Sequence, residues 1–456
     1  MIKKILAVVL ALMCVAGAFA GCGDMSSSGS SALGGSEHSS ADGGSESSEE
    51  ESLQPEVILT IYAYEADGEG FWSAAADKFE ELNGGVEVQL KSGSDIASVL
   101  REDILSGKSP DLVYLPSYEG SGVTEALIND KALADISDVM AEISGKLAEG
   151  VYNTAFCKPY GDGKTYIAPY ASALEGIWYN SERFSDPSSF DDTFEEFVAF
   201  ADELKSSSKL FGFAGDELKT LRAIAAPILK SYVGMEKTEA LYRMDASVWS
   251  DSGVTDAINL IDSLTYGQDV ELDSIAYSQV ELMCALAKGD VAFGLFSDAE
   301  KVYKEAVEKH GNPEENAPKE DKELADALKA LKLEYLPMPA AEEGGECAGY
   351  ARTGEIYIPI EAKEAALAKE FIKFLYTDEA ARLLSEKTEL AVPFNDAFDG
   401  VVPYVYRTPA LSGASDDFEE IFYECIAKML TNNMAVSKLT SNMKSAVDTL
   451  DDYILK

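Results

Sequence analysis

Short β-branched runs alternate with amphipathic segments from about residue 57 onward, and this alternation constrains the fold more than any other feature. Runs such as Val57–Tyr62 and Leu112–Leu115 are typical of buried strands, whereas Trp72–Leu82 and Ile96–Leu105 have the apolar spacing of helices. The same criteria predict strands at Val86–Leu90, Gly176–Tyr179, Val291–Phe296 and Glu355–Ile358, and helices at Asp191–Lys205, Ala362–Tyr376, Asp378–Lys387 and about 418–455. The pattern predicts α/β layers with largely parallel sheets, and the lack of a repeat of 20–50 residues excludes solenoids and propellers.

The charge balance excludes several classes of function. The 456 residues include 81 acidic and 37 basic ones, which gives a net charge of -44. A nucleic-acid backbone is bound by clustered Lys and Arg, so we predict no nucleic-acid partner. The two histidines, His38 and His310, lie in polar or charged runs. His-based triads and His-rich zinc sites are therefore not expected, and we predict neither a metal nor a cofactor.

The first residues have the pattern of an export signal. Lys3 and Lys4 precede an uncharged apolar run, Ile5–Ala20, which ends before Gly21 and Cys22. This run of about 16 residues is shorter than the roughly 20 that span a bilayer. Ala-Gly-Cys resembles a bacterial lipobox, which implies that residues 1–21 are removed as a signal peptide. It also implies that Cys22 carries lipid, palmitate included, and anchors the protein at the outer (extracellular or periplasmic) face of the cell membrane.

Residues 22–56 are predicted to form a disordered tether. The segment is dominated by Ser, Gly and Glu and contains neither Lys nor Arg. Such a composition buries too little apolar surface to offset the entropy lost on ordering.

Four cysteines follow the predicted anchor: Cys157, Cys284, Cys347 and Cys425. They are widely separated and none forms a CxxC pair, which disfavours metal and redox sites. An exported protein can form disulfides, and buried free thiols are equally compatible with this spacing. The disulfide state therefore stays open at this point.

Five short motifs follow one another in the order found in a known family. They are Ser109–Val113 (SPDLV), Asp162–Tyr170 (DGKTYIAPY) followed by Ile177–Asn180 (IWYN) and Phe184, Leu286–Phe293 (LAKGDVAF), Tyr335–Pro339 (YLPMP), and Ala362–Leu375 with Thr377–Ala380. From about residue 56 onward the chain thus resembles the family 1 extracellular solute-binding proteins. These are the sugar-binding receptors of ABC importers, and maltose-binding protein is the best-known member.

The resemblance implies a two-lobed, periplasmic-binding-protein-like α/β fold of type II, with a hinge between the lobes. Lobe 1 is expected to combine residues 57–172 with 352–398, and lobe 2 residues 173–351 with 399–456. A sugar or oligosaccharide is captured between the lobes and closes them. The resemblance further implies a monomeric, non-catalytic protein whose partners are the permease subunits of an ABC importer.

Candidate ligand contacts lie in loops at the carboxyl ends of strands, where such folds bind their ligands. A sugar offers apolar faces for stacking on rings and hydroxyls for hydrogen bonds to carboxylates. The predicted contacts are Tyr64, Glu65, Trp72, Tyr118, Glu119, Tyr170, Asp216, Phe296, Asp298 and Tyr350. Trp72 is equally compatible with core packing, Trp178 is expected in the core, and Arg222 and Arg352 are expected in structural salt bridges.

Three other functions remain open at this point. A surface sensor that presents a carbohydrate to a histidine kinase would have the same architecture. A carboxylate-based glycosidase is compatible with the many acidic residues, although Gly163-Lys164-Thr165 lacks the preceding glycine of a P-loop. A peptide or polyamine ligand would also be compatible, since the negative charge tolerates a cation.

Overall fold

The computed structural model describes residues 57–66, 69–116, 122–152, 154, 156–183, 193–194, 196–197, 209–242, 245–264, 277–339, 348–388, 390–397, 402–404, 414–431 and 434–454. The predicted signal peptide and tether lie outside these residues, as do Tyr118, Glu119, Cys347 and most of the predicted helix Asp191–Lys205.

The predicted alternation of strands and helices is present in the described residues. The strands are β1 (Val57–Ala63), β2 (Val86–Ser92), β3 (Leu112–Pro116), β4 (Ala168–Asn180), β5 (Lys209–Gly212), β6 (Val291–Phe296), β7 (Leu333–Leu336), β8 (Ala348–Tyr357) and β9 (Val402–Tyr404). The helices are α1 (Phe71–Leu82), α2 (Ile96–Leu105), α3 (Val123–Asn129), α4 (Ser137–Ile143), α5 (Glu149–Tyr152), α6 (Arg222–Tyr242), α7 (Ser252–Leu264), α8 (Gln279–Lys288), α9 (Ala299–His310), α10 (Lys319–Ala330), α11 (Ala365–Leu375), α12 (Asp378–Lys387), α13 (Ala414–Leu430) and α14 (Val436–Ile454). Two predicted strands, Gly176–Tyr179 and Glu355–Ile358, overlap the much longer β4 and β8.

The strands form a mixed sheet with the order β2-β1-β3-β8-β4-β6-β5, to which β7 adds beside β4 and β9 beside β8. Strand β1 is parallel to β2 and β3, β5 is parallel to β6, and β8 is parallel to β9. The pairs β3–β8, β4–β8, β4–β6 and β4–β7 are antiparallel. The expectation of largely parallel sheets is therefore wrong, because β4 and β8 cross the molecule in opposite directions.

These two long strands connect two lobes. Residues Ala168–Tyr170 of β4 pair with the end of β8, which itself pairs with β3; residues Gly176–Asn180 of β4 pair instead with β6 and β7. We call the part built on β1–β3 the first lobe and the part built on β5–β7 the second lobe. The predicted two-lobed α/β fold is confirmed, while the residue bounds of the two lobes stay a prediction.

Each lobe buries its own apolar residues. In the first lobe, β1 and helices α1 and α11 enclose a cluster that includes Leu59, Phe79 and Phe371. In the second lobe, α8 and β6 pack around Leu286 and Phe296. Because the apolar residues recur at helical spacing, each helix presents one face to its sheet. The loops that follow β1 and β6 lie at the border between the lobes.

The two crossing strands are irregular where they pass between the lobes. The pairing of β4 with β8 shifts between Tyr170 and Ala173, and Ala171 adopts a left-handed backbone with φ 53°. The Ser172 hydroxyl donates to Thr353 Oγ1 at 2.7 Å, and the Ser172 amide donates to the carbonyl of Ala391 at 2.7 Å. Hydrogen bonds therefore hold a bend that an L-residue adopts only at a cost of about 1–3 kcal/mol.

Three of the cysteines are described, and Cys157, Cys284 and Cys425 are all buried and free. In the same part of the chain, no helix combines the length and the apolar character needed to cross a membrane.

Candidate ligand-binding cleft

A cavity of about 910 Å³ lies between the lobes. Its first-lobe lining consists of Tyr64, Ala66, Glu69, Phe71, Trp72, Tyr114, Ala171, Leu384, Ser385, Glu386, Lys387, Thr388 and Leu390. Its second-lobe lining consists of Asp216, Ser278, Gln279, Val280, Ser297, Asp298, Lys301, Val302, Lys304 and Glu305, with Arg352 on the crossing strand β8. The volume lies in the range of small-molecule sites, which is about 300–1,000 Å³.

The first-lobe wall is aromatic. Trp72 is 3% exposed and packs against Tyr114 with 4.7 Å between ring centroids. Phe71 meets Trp72 edge-on at 5.2 Å, and the half-buried Tyr64 extends the wall. The end of β1, the end of β3 and the start of α1 place these rings together. The wall can therefore receive a flat apolar surface.

Glu65 holds the aromatic wall in place. Gly70, which precedes α1, has no capping side chain, and the amide of Trp72 donates instead to Glu65 Oε1 at 3.0 Å. The carboxylate thus satisfies a free N–H at the positive end of the helix. Glu65 is absent from the cavity lining, and its observed role is to fix the start of α1, where Trp72 lies.

The second-lobe wall begins at the start of α8. The Glu281 amide donates to Ser278 Oγ at 3.3 Å, and the Ser278 amide donates to Glu281 Oε2 at 2.8 Å, which forms a capping box. Gln279 is the first residue of this helix and lines the cavity. Its amide nitrogen and oxygen are both buried and have no hydrogen-bond partner among the residues that the structure describes. Sequence reasoning missed Gln279: Ser278-x-x-Glu281 marks the helix start, but not the surface that it faces.

Asp298 lies at the start of α9 and contacts both that helix and the crossing strand β8. Its Oδ1 accepts a hydrogen bond from the Lys301 amide at 3.1 Å, and its Oδ2 lies 3.5 Å from Arg352 Nη2. Asp216 lines the same wall and is exposed. Arg352 is thus in an ion pair, as expected from the sequence.

The cleft is close to neutral although the chain is strongly acidic. Among the lining residues that the structure describes, five acidic side chains (Glu69, Asp216, Asp298, Glu305 and Glu386) face four basic ones (Lys301, Lys304, Arg352 and Lys387). Burial raises the pKa of Glu69 above its usual value, although the Ala66 amide, which donates to its carboxylate, lowers that pKa.

Three further predicted contacts lie in the cores and are absent from the cavity lining. Tyr170 is 0% exposed and packs against Tyr376 with 5.6 Å between ring centroids; burial raises the pKa of its phenol well above the usual value. Phe296 is 0% exposed in the second-lobe core. Tyr350 is 6% exposed, and the Arg222 guanidinium lies 4.6 Å from its ring centroid.

Arg222 is held in a buried ion pair, as expected. Its Nε and Nη2 donate to the two carboxylate oxygens of Glu175 at 2.6 and 2.7 Å. Trp178 packs edge-on against Tyr335 beside the second-lobe core, also as expected.

The cavity therefore brings together four of the ten predicted contacts, Tyr64, Trp72, Asp216 and Asp298. Within the described part of the chain, no group of three or more His, Cys, Asp or Glu residues is arranged to hold a metal ion.

Comparisons with known proteins agree with this architecture. Residues 62–382 match the family described as "Bacterial extracellular solute-binding protein". The diacetylchitobiose binding protein NgcE of Streptomyces coelicolor is 23% identical over 310 residues, which are 67% of this chain and 63% of that protein. The multiple sugar-binding protein of Streptococcus mutans is 23% identical over 189 residues, which are 40% of this chain and 42% of that protein. The match thus spans less than two thirds of the length of either relative.

Several solved structures share the fold. The bacterial solute receptor AcbH, described as having an exclusive preference for β-D-galactopyranose, matches with a TM-score of 0.67 and 15% identity over 88% of this chain and all of that one. RafE from Streptococcus pneumoniae, without ligand, gives a TM-score of 0.64 at 17% identity over 86% of this chain and 98% of that one. RafE with raffinose gives 0.55 at 16% identity, with coverage of 86% and 99%.

At these identities the likeness establishes the fold, which is the two-lobed type II fold of periplasmic binding proteins. Because the family match extends from β1 into α12 and so includes both crossing strands, the chain belongs to the bacterial extracellular solute-binding proteins.

Proposed function

We propose that this protein captures a carbohydrate, an oligosaccharide, in the cleft between its lobes and delivers it to an ABC importer. The observation that carries the proposal is the pairing of an aromatic wall on one lobe with a polar wall on the other. A sugar ring has apolar C–H faces and a rim of hydroxyls, so each wall matches one part of it. Tyr64 is half-buried and offers the exposed ring of the aromatic wall, in which Trp72 and Tyr114 are only 3% and 5% exposed. Asp298 and Gln279 offer hydrogen-bonding groups.

The charge of the cleft favours a neutral ligand. Acidic and basic side chains nearly balance in the lining, and the charges of Asp298 and Arg352 already face each other. A polyamine would need an excess of carboxylates and an acidic ligand an excess of basic groups, and the described lining residues provide neither. The names of the relatives point in the same direction, since NgcE, AcbH and RafE are each described with a sugar.

Capture requires a change in shape, and the bend between the lobes is suited to it. A ligand shifts an equilibrium only if it binds one form better than the other, and a sugar held by both walls stabilises the closed form. We propose that the segments Tyr170–Gly176 and Gly349–Thr353 carry the movement. The shifted pairing of β4 and the left-handed Ala171 lie within the first of these segments.

Titration with galactose, raffinose and diacetylchitobiose tests this function. A bound sugar at 100 times its Kd is expected to add about 2.7 kcal/mol to the free energy of unfolding, which a thermal-shift assay detects. Small-angle scattering at saturation should show a smaller radius of gyration, and chromatography should recover the sugar unchanged. Absence of any thermal shift with a wider panel of sugars would refute carbohydrate capture, an unchanged radius would refute closure, and hydrolysed product would make the protein a glycosidase.

We further propose that Cys22 carries the lipid anchor, on the sequence pattern that precedes it. Cys22→Ala is expected to abolish palmitate labelling and either release the protein from the membrane fraction or leave it unprocessed. Cys14→Ala, which changes a cysteine inside the apolar run, is the matched control and should remain labelled. A Cys22→Ala protein of mature size that is still labelled and membrane-bound would contradict the assignment.

A further inference from the structure

The amide of Gln279 is the most unusual polar group in the cleft. Its nitrogen and oxygen are both buried and find no partner in the described part of the chain, although the residue lines the cavity. An amide has two donors and two acceptor lone pairs, and a buried amide that makes no hydrogen bond lowers the stability of the folded protein. Buried polar groups are almost always paired, so an unpaired one at a cavity wall needs a reason.

The position of Gln279 is fixed by its neighbours. The capping box of Ser278 and Glu281 sets the start of α8, and the Ser278 hydroxyl also donates to Glu281 Oε2 at 2.9 Å. The nearest hydroxyl along the chain is therefore already engaged. The buried face of α8, which includes Leu282 and Leu286, anchors the helix in the second-lobe core. The Gln279 side chain thus projects from a rigid element, the kind of position from which ligand contacts are made with precision.

We propose that Gln279 is a ligand-binding residue whose amide hydrogen-bonds two neighbouring hydroxyls of a sugar. The amide oxygen accepts from one hydroxyl while the amide nitrogen donates to the next, a pairing that vicinal diols allow because each hydroxyl can donate and accept. The free energy that the empty protein loses by leaving the amide unpaired is recovered when the sugar binds. The ligand class in this proposal rests on the proposed function, whereas the unpaired state of the amide does not.

This arrangement makes Gln279 a determinant of specificity. A ligand that lacks one of the two hydroxyls would leave the amide half-paired in the closed cleft, which is costly in a site built for hydrogen bonds. The aromatic wall, which includes Trp72 and Tyr114, accepts an apolar surface of many kinds. The hydrogen-bonding groups of the second-lobe wall therefore discriminate between sugars of similar size.

Gln279→Met tests the proposal, since it keeps an unbranched side chain of similar length and removes both hydrogen-bonding groups. The sugar among galactose, raffinose and diacetylchitobiose that binds the wild type most tightly serves as the probe, measured by calorimetry. We expect its affinity to fall 10- to 100-fold, while the melting temperature of the empty protein stays the same or rises. Gln279→Glu, which keeps acceptors but loses the donor, should also bind the probe more weakly than the wild type.

Gln89→Met is the matched control, because Gln89 is exposed on β2 and its side-chain amide donates to Glu87 on the same strand, outside the cavity lining. It should change neither the affinity nor the melting temperature. Wild-type affinity of Gln279→Met would overturn the proposal. So would a clear fall in the melting temperature of the empty variant, since the amide would then have a partner without ligand. If the wild type binds no sugar of the wider panel either, the carbohydrate function fails, and the melting temperature of empty Gln279→Met still decides whether the amide is unpaired.

Discussion

Glu175→Gln is expected to lower the free energy of unfolding by about 3–5 kcal/mol, which urea denaturation would measure. Glu175 is buried and accepts two hydrogen bonds from Arg222, whose side chain is itself largely buried. Removing the carboxylate charge takes from the buried guanidinium the counter-ion that accepts its two short hydrogen bonds. Much of the cost of desolvating the guanidinium is then no longer offset, and this term dominates the loss.

A second variant separates loss of the charge from loss of packing. Glu175→Gln combined with Arg222→Met removes both charges, and most of the lost stability should return, because an apolar pair can replace a buried ion pair. Glu323→Gln is the control for an ion pair in solvent, since Glu323 pairs with Lys319 on the exposed face of α10, and it should change stability by no more than about 1 kcal/mol. If Glu175→Gln lowered the free energy of unfolding as little as the control Glu323→Gln does, water would have to reach the Arg222 guanidinium.

The ion pair also locates the rigid boundary of the second lobe. Glu175 on β4 lies opposite Tyr350 on β8 in the ladder, and Arg222 stacks on Tyr350 from the start of α6. One layer of side chains thus joins both crossing strands to a helix of the second lobe. Within the proposed hinge segments Tyr170–Gly176 and Gly349–Thr353, we therefore expect most of the movement on the first-lobe side of this layer, where Ala171 and the shifted pairing lie.

The individual elements were predictable where the local pattern determined the structure. The apolar runs of β1 and β3 and the helical spacing of α1 and α2 locate these elements to within one or two residues. Thr377 caps α12 through its side chain, as the sequence Thr-Asp-Glu before an apolar residue indicates. The directions of β4 and β8 were not predictable in this way, since they depend on which distant strands pair with them.

The site was predictable only in part, because side-chain direction depends on packing. Every residue of β6 is buried, so the strand shows no alternation of polar and apolar residues that would identify those facing the cleft. The sequence therefore predicts Phe296 at the cleft wall, whereas the structure buries it in the second-lobe core. The sequence places Glu65 in the loop after β1, but its bond to the start of α1 depends on the path of the chain. No sequence motif marks Gln279 as a binding residue. It stands out only in the fold, where its buried amide has no hydrogen-bond partner among the described residues.

Phe296→Ala is expected to lower the free energy of unfolding of the empty protein by about 3–5 kcal/mol. The ring is fully buried among α8, α9 and α10, in a cluster that includes Leu282, Val302 and Leu328. It also lies over Gly294, where an added Cβ would come within 2.5 Å of the ring. Deleting such a ring removes its transfer free energy and leaves a cavity that the surrounding helices close only partly. Thermal and urea denaturation without ligand would measure the loss.

Tyr64→Ala is the matched comparison, since Tyr64 is a half-buried ring on the opposite wall of the cleft. Loss of a stacking surface there should weaken sugar binding by about 1–3 kcal/mol and change the stability of the empty protein much less than Phe296→Ala does. The two variants thus separate a ring that holds the second lobe together from a ring that meets the ligand. If Phe296→Ala left the empty protein as stable as the wild type and reduced only sugar affinity, Phe296 would belong to the binding surface after all. The second-lobe wall would then have to turn that ring into the cleft on closure.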